Sequence, residues 1–168
     1  IIKLFDNKKR IVSSGFNIGL TNCVGDVIIR VDGHSKLDKS YIKNCILVLK
    51  EVNADCVGGT TEHKSNNFIG SIITKAQTSN FGTGGVVFRK NINKGMYTDT
   101  LAFGAYKREV FNKIGGYDEE LVRNQDDEFN FRLIQSGGKI WIDPRIKSIY
   151  FNRSSTFKLA KQYFQYGF

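Results

Sequence analysis

The stretch Asp26-Val27-Ile28-Ile29-Arg30-Val31-Asp32-Gly33-His34 decides how this chain is read. Val27 to Val31 is mostly apolar and β-branched, the composition of a strand buried within a sheet. It runs straight into a polar loop carrying a carboxylate and an imidazole two residues apart. Upstream, Ser13 or Ser14 is placed to cap a helix reaching about Asn22, with Phe16 and Leu20 on one face and Gly25 placed to end it. Downstream, Asp38 can cap a helix over residues 39–51, whose apolar stripe is Tyr41, Ile42, Cys45, Ile46 and Leu49. A helix, a buried strand and a second helix in succession point to an α/β fold.

The same alternation continues outward. Ile1 to Phe5 has the composition of a short strand closed by Asp6-Asn7. Residues 55–59 read as a strand and 68–78 as a helix. Gly82-Thr83-Gly84-Gly85 reads as a mobile loop, because it lacks the Lys-Ser/Thr ending of a phosphate-binding loop. Residues 98–106 suggest a strand or turn, and 107–114 a short helix broken by Gly115-Gly116. An acidic helix opening within Asn124–Arg132 runs to about Ser136, where Gly137-Gly138 stop it. Two strands, 139–142 and 146–150, flank Asp143-Pro144, and an amphipathic helix follows from about Ser155. The expected sheet is mixed, parallel at least in its first half. Neither repeats nor linkers divide the 168 residues, so one domain covering 1–168 is expected.

A 40% hydrophobic and 12% aromatic composition excludes a disordered chain. The net charge of +9 favours an anionic partner: nucleic acid, a phosphorylated substrate or an acidic membrane surface. Its cations are scattered, and none of the clusters is dense enough for a nucleic-acid arm. Cys23, Cys45 and Cys56 are odd in number and lack metal-ligand spacing, which fits a reducing, cytoplasmic setting. No apolar run is long enough to span a bilayer.

Two groups of residues can carry chemistry. Asp32 and His34 follow a strand, where α/β sheets bind ligands, and could hold a hard divalent cation completed by phosphate oxygens. The same tripeptide also fits a turn cap beside an exposed histidine. The second group is Asn124-Gln125-Asp126-Asp127-Glu128, three acids in succession at a helix start. A helix N-terminus welcomes and ionises acids in any case. One of them could equally be a general base.

Taken together, these segments resemble family 2 glycosyltransferases of the GT-A fold. Asp26–Val31 leading into Asp32-Gly33-His34 resembles the family's metal segment, in the Asp-x-His form of the succinoglycan-type branch. Asn17-Ile18-Gly19-Leu20 resembles its Asn-x-Gly helix. The run Thr98–Tyr106 and the turn Ile114-Gly115-Gly116-Tyr117-Asp118 match what precedes its catalytic helix. The resemblance implies a GT-A, Rossmann-like nucleotide-diphospho-sugar transferase fold, a mixed sheet flanked by helices and partial at the N-terminus. It lacks the strand, Asn-Glu helix and strand ending in Asp that hold the nucleotide.

The resemblance further implies Asp126 as the general base of an inverting transfer and Asp32 with His34 as ligands of Mg2+ or Mn2+ at the donor diphosphate. Gln125 stands where the family has Glu. Glu128 is either an acceptor contact or a helix-surface acid, and Arg132 a structural partner of a carboxylate. Gln162–Gly167 is a relaxed form of the family's Gln-x-x-Arg-Trp segment, in which Tyr166 could stack on an acceptor sugar or pack in the core. The implied donor is a nucleotide sugar, a UDP-sugar first among them. The implied acceptor is a glycan or polyprenyl-linked chain in exopolysaccharide synthesis, met by peripheral contact at the inner face of the cell membrane. Nucleic acid is not expected. A non-catalytic basic module binding nucleic acid or acidic glycan is the alternative, and it leaves the Asp126 cluster unexplained.

Overall fold

The computed structural model describes residues 2–33, 35–65, 67–79, 87–89 and 92–151, with Phe157, Ala160 and Phe164. Its elements, in chain order, are α1 (Val12–Asn22), β1 (Val27–Ile29), β2 (Ser35–Leu37), α2 (Tyr41–Glu51), β3 (Cys56–Lys64), α3 (Phe68–Thr78), β4 (Met96–Thr98), β5 (Ala105–Lys107), α4 (Arg108–Ile114), α5 (Gln125–Gln135) and β6 (Ile140–Phe151). Six strands form one sheet in the order β1-β5-β3-β6-β2, with β4 also paired to β6. β3 and β6 run parallel, while β5 is antiparallel to both β1 and β3. Strands β1, β3 and β6 therefore share one direction, and their carboxyl ends lie along one edge of the sheet.

Alternation along the strands divides two cores. Ile28, Cys56 and Tyr106 face one side and pack with Val110, Phe111, Tyr117, Phe129 and Leu133 beneath α1, α4 and α5. Val57 and Ala105, one residue on or back, face α2 with Tyr41, Cys45 and Val48. A single slip in register would exchange the two faces, which is why β-branched and small residues at these positions specify it.

Several expectations are sharpened. The two strands expected around Asp143-Pro144 are one strand, β6. Its register against β3 steps from Gly59↔Asp143 to Thr60↔Lys147, so 144–146 form a bulge that buries Ile146. The bulge folds over Gly59, where a Cβ would sit 1.7 Å from the Ile146 carbonyl oxygen. β2 is an addition: its three residues pair with the far end of β6. Residues 2–6 form no strand; Ile2 and Leu4 are exposed, and strand composition alone does not supply a pairing edge. Ser13 and Ser14 do not cap α1 but lie buried within it, and the Ser13 hydroxyl donates to the Leu121 carbonyl. Asp38 lies just before the Ser40 cap of α2 and accepts from the Ser40 amide at 2.8 Å. Gly137, at φ 85°, ends α5 as its sequence implied. The glycine loop at 82–85 and most of the C-terminal helix, Tyr166 included, lie outside the described residues.

Candidate active site

Beyond Ile29 the chain leaves the sheet at the edge where parallel strands end. Arg30 and Asp32 stand there, and the amide and hydroxyl of Ser35 both donate to the Asp32 carbonyl, at 3.0 and 2.6 Å, closing the turn. A Cβ at Gly33 would touch nothing within 4 Å, so this glycine leaves open space beside Asp32.

Asp126 arrives from the other end of the chain. Asn124, left-handed at φ 58°, turns the backbone into α5, and its carbonyl accepts from the Glu128 amide at 3.0 Å. Asparagine is among the few side chains that tolerate this conformation. The turn places Asp126 at the sheet edge, half-exposed beside Arg30.

The two carboxylates meet at Arg30. Its Nε and Nη2 donate to the two oxygens of Asp32 at 2.9 and 3.1 Å, and its Nη1 lies 3.6 Å from Asp126 Oδ2. The guanidinium also lies over the Tyr117 ring, 5.9 Å from its centroid. Burial works against the arginine's charge, but the bonds to Asp32 and the nearby Asp126 more than offset it, so Arg30 stays firmly protonated. For Asp126 burial is the largest influence and raises the pKa above the ordinary carboxylate range. Arg30 pulls it down and Asp127 pushes it up, leaving a net rise. Backbone hydrogen bonds at the helix start also lower it, by less than burial raises it. A carboxylate so raised is the stronger proton acceptor once ionised.

The support beneath this pair comes from residues a hundred positions apart. The Asn17 side chain donates to the Tyr117 carbonyl at 2.8 Å and accepts from the Tyr117 amide at 2.9 Å, closing a two-point bridge; it also donates to Glu119 at 3.0 Å. Phe16 stacks on Tyr117 with centroids 4.1 Å apart. Gly116 must lack a side chain, since its Cβ would lie 2.4 Å from Asn17 Oδ1. The Asn-x-Gly helix and the Gly-Gly-Tyr turn are thus two halves of one joint. From α5, Arg132 donates to both Glu128 oxygens at 2.7 and 2.8 Å and to the carbonyls of Ile114 and Gly116. It ties α5 to the same turn.

Gln125 is buried next to Asp126. Asp127 faces solvent and accepts from the Thr100 hydroxyl at 2.9 Å; Thr100 in turn meets Asn130, which accepts from buried Tyr106 at 2.7 Å. His34 lies outside the described residues, and among those described no three His, Cys, Asp or Glu side chains group as a metal site. Asp32 nevertheless keeps lone pairs beyond those used by Arg30, a donor set suited to a hard cation completed by ligand oxygens. A groove of about 530 Å3 between α1 and β1, lined by Phe16, Leu20, Ile29, Arg30 and Asp32 among others, opens beside it.

Arg30, and the bridge from Asn17 to Tyr117, are the parts of the candidate site that sequence reasoning overlooked. Arg30 had a signal: it is the one charge inside the apolar run 27–31, and a buried charge requires a partner.

The Glycosyl transferase family 2 model matches residues 1–115. The chain belongs to that family. Two relatives align along 99% of this chain. One, 31% identical, is the dolichyl N-acetyl-alpha-D-glucosaminyl phosphate 3-beta-D-2,3-diacetamido-2,3-dideoxy-beta-D-glucuronosyltransferase of Methanococcus voltae; the other, 29% identical, is the succinoglycan biosynthesis protein ExoA of Rhizobium meliloti (strain 1021). These alignments cover 53% and 51% of the relatives, so the chain spans about half their length. In fold it is similar to a crystal structure of GalNAc-T7 with UDP, GalNAc and Mn2+, at a TM-score of 0.67 and 16% identity over 90% of this chain and 32% of that one. The family 2 chain therefore has the mixed α/β sheet of the GT-A fold. Among its described residues no helix is long and apolar enough to cross a membrane.

Proposed function

We propose that this chain carries the catalytic half of an inverting glycosyl transfer from a nucleotide sugar to a glycan or polyprenyl-linked acceptor, serving cell-surface polysaccharide synthesis at the inner face of the membrane. The carrying observation is that the carboxylate at the end of β1 and the carboxylate at the start of α5 meet across one arginine, 3.6 Å from Asp126. The two ends of a displacement require such a convergence. Asp126, its basicity raised by burial, accepts the acceptor hydroxyl's proton as that oxygen bonds to the anomeric carbon. On the opposite face the bond to the nucleoside diphosphate breaks, and its electron pair leaves with the diphosphate. General-base assistance of this kind is worth roughly a hundred- to ten-thousandfold in rate.

Asp32, with His34, would hold Mg2+ or Mn2+, which when bound neutralises charge on the departing diphosphate. Gln125, buried beside Asp126, and Glu128, held at both oxygens by Arg132, fix the start of α5 around the base, and Tyr166 would stack on the acceptor sugar. The relatives' names favour lipid-linked and exopolysaccharide acceptors, and the UDP-bound structural neighbour favours a UDP-sugar donor.

The test is Asp126→Asn in the full-length protein, assayed for sugar transfer and, separately, for donor binding by calorimetry. Transfer should fall at least a hundredfold with donor binding retained; full turnover would refute the base. Asp32→Ala should abolish the Mn2+ dependence of nucleoside diphosphate binding in the same calorimeter, a readout independent of turnover. An unchanged metal dependence would remove Asp32 from the metal site.

A further inference from the structure

The outward face of α3 is apolar without a core to explain it. Asn67 caps the helix, its side chain accepting from the Gly70 amide at 2.7 Å, and Gly70 and Ile73 turn inward. Phe68, Ile69 and Ile72 are 78%, 48% and 53% exposed. With about 3.6 residues per turn these three share one face with Ala76, and exposed Lys75 stands at its margin. Isolated exposed apolar side chains need no explanation, but a contiguous stripe on one helix face does.

Charge identifies what the stripe meets. From His63 to Thr98 the chain contains no Asp or Glu, yet carries Lys64, Lys75, Arg89, Lys90 and Lys94. In a protein with 16 acidic residues, a 36-residue acid-free run is strongly segregated. Exposed apolar residues on other described helices differ: Phe131 and Ile134 share α5 with Asp126, Asp127 and Glu128, and Ile42 and Leu47 stand five residues apart on α2, well separated around its axis. Topology adds a placement. α3 follows the carboxyl end of β3, on the edge of the sheet where Asp32 follows the carboxyl end of the co-directional β1.

We propose that the Phe68–Ile69–Ile72 face of α3 seats on an anionic lipid bilayer, with Lys75 at its margin toward the headgroups. An apolar helix face flanked by cations is the arrangement that binds in the plane of such a surface. The inference deepens the lipid-linked-acceptor reading, turning the sheet edge that bears Asp32 and Asp126 toward the membrane. It is tested without sugar transfer.

In the full-length protein with Cys23 and every accessible cysteine outside residues 1–168 replaced by serine, Ile72→Cys takes an environment-sensitive nitrobenzoxadiazole label; Cys45 and Cys56 are buried, with thiol pKa values raised by that burial, and stay unlabelled. Lys50→Cys, exposed on α2, is the control site. With phosphatidylglycerol-containing vesicles the label at position 72 should shift to the blue and be quenched by spin-labelled acyl chains. The control label should do neither, and pure phosphatidylcholine should give a much weaker response. Lys75→Gln should weaken the response about fivefold, as one cation lost at an anionic surface. A label at 72 that stays in water with anionic vesicles overturns the proposal. So does a blue shift that needs no vesicles: one that grows with protein concentration means that a second copy covers the face, and one independent of concentration means that the chain covers itself. The same measurement on Asp126→Asn separates the two readings, since membrane seating should survive that substitution whatever becomes of transfer.

Discussion

Replacing Arg30 with glutamine removes the cation shared by Asp32 and Asp126 and tests the site's construction directly. The bidentate bond to Asp32 involves a guanidinium only 17% exposed, and charge-assisted hydrogen bonds of this kind contribute roughly 1.5–3 kcal/mol. The 3.6 Å approach to Asp126 is worth more on paper, about 4–5 kcal/mol at an effective dielectric near 20. Asp126 is 38% exposed, however, and screening reduces that contribution to about 1 kcal/mol or less. The expected loss is therefore about 2–3 kcal/mol, a fall in Tm on the order of 5–10 °C for a chain of this size. Double-mutant cycles with Asp32→Asn and Asp126→Asn, followed by thermal unfolding, apportion it. Arg30 should couple to Asp32 by more than it couples to Asp126. The reverse order, or coupling below about 0.3 kcal/mol to both, refutes the bridge. Function supplies a second readout. Burial holds the Asp126 pKa up and Arg30 holds it down, so Arg30→Gln should raise it further. The acid limb of kcat/KM then moves to higher pH, and Arg30→Lys, which keeps the charge, should move it less.

Four further outcomes follow from the structure. Asn17→Ala removes the two-point bridge to Tyr117 and should cost about 1–3 kcal/mol in urea unfolding. Gly116→Ala is disruptive alone but should add little in the Asn17→Ala background, because the atom its methyl would strike is gone. Gly59→Ala, meeting the Ile146 carbonyl at 1.7 Å, should exceed about 4 kcal/mol and abolish soluble folded protein on expression. Asp126→Asn should lose transfer without losing stability. The folded pKa of Asp126 lies above its unfolded value, so its stabilising contribution is full at low pH and is lost as pH rises through the folded value. The asparagine variant should thus match or exceed the parent at neutral pH by under about 1 kcal/mol, a difference that vanishes below about pH 4.

What could be read before folding was whatever is encoded locally. The β-branched run 27–31 announces itself through composition and the stripe of α2 through periodicity, and the helix expected over 68–78 is α3. What escaped depends on partners. Ser35-Lys36-Leu37 has no strand composition and becomes β2 only because the long β6 offers it an edge. Ile1 to Phe5 has the composition, and residues 2–5 find no such edge. Ser13 looks like a cap until the Leu121 carbonyl is seen to claim its hydroxyl.

The site shows the same division more sharply. Asp126 stood out because acids at a helix start form a local pattern, and Asp32 because it follows a strand. Neither pattern states that the two approach one another, which depends on a left-handed Asn124, a side-chain-free Gly116 and an arginine inside a strand run. Each of these is locally unfavourable or unremarked: a conformation few residues tolerate, a position with no side chain, a charge among apolar neighbours. A chain bears such local costs where geometry demands them, and here all three converge on Arg30, Asp32 and Asp126. The places where local rules fail therefore locate the site more narrowly than the places where they succeed.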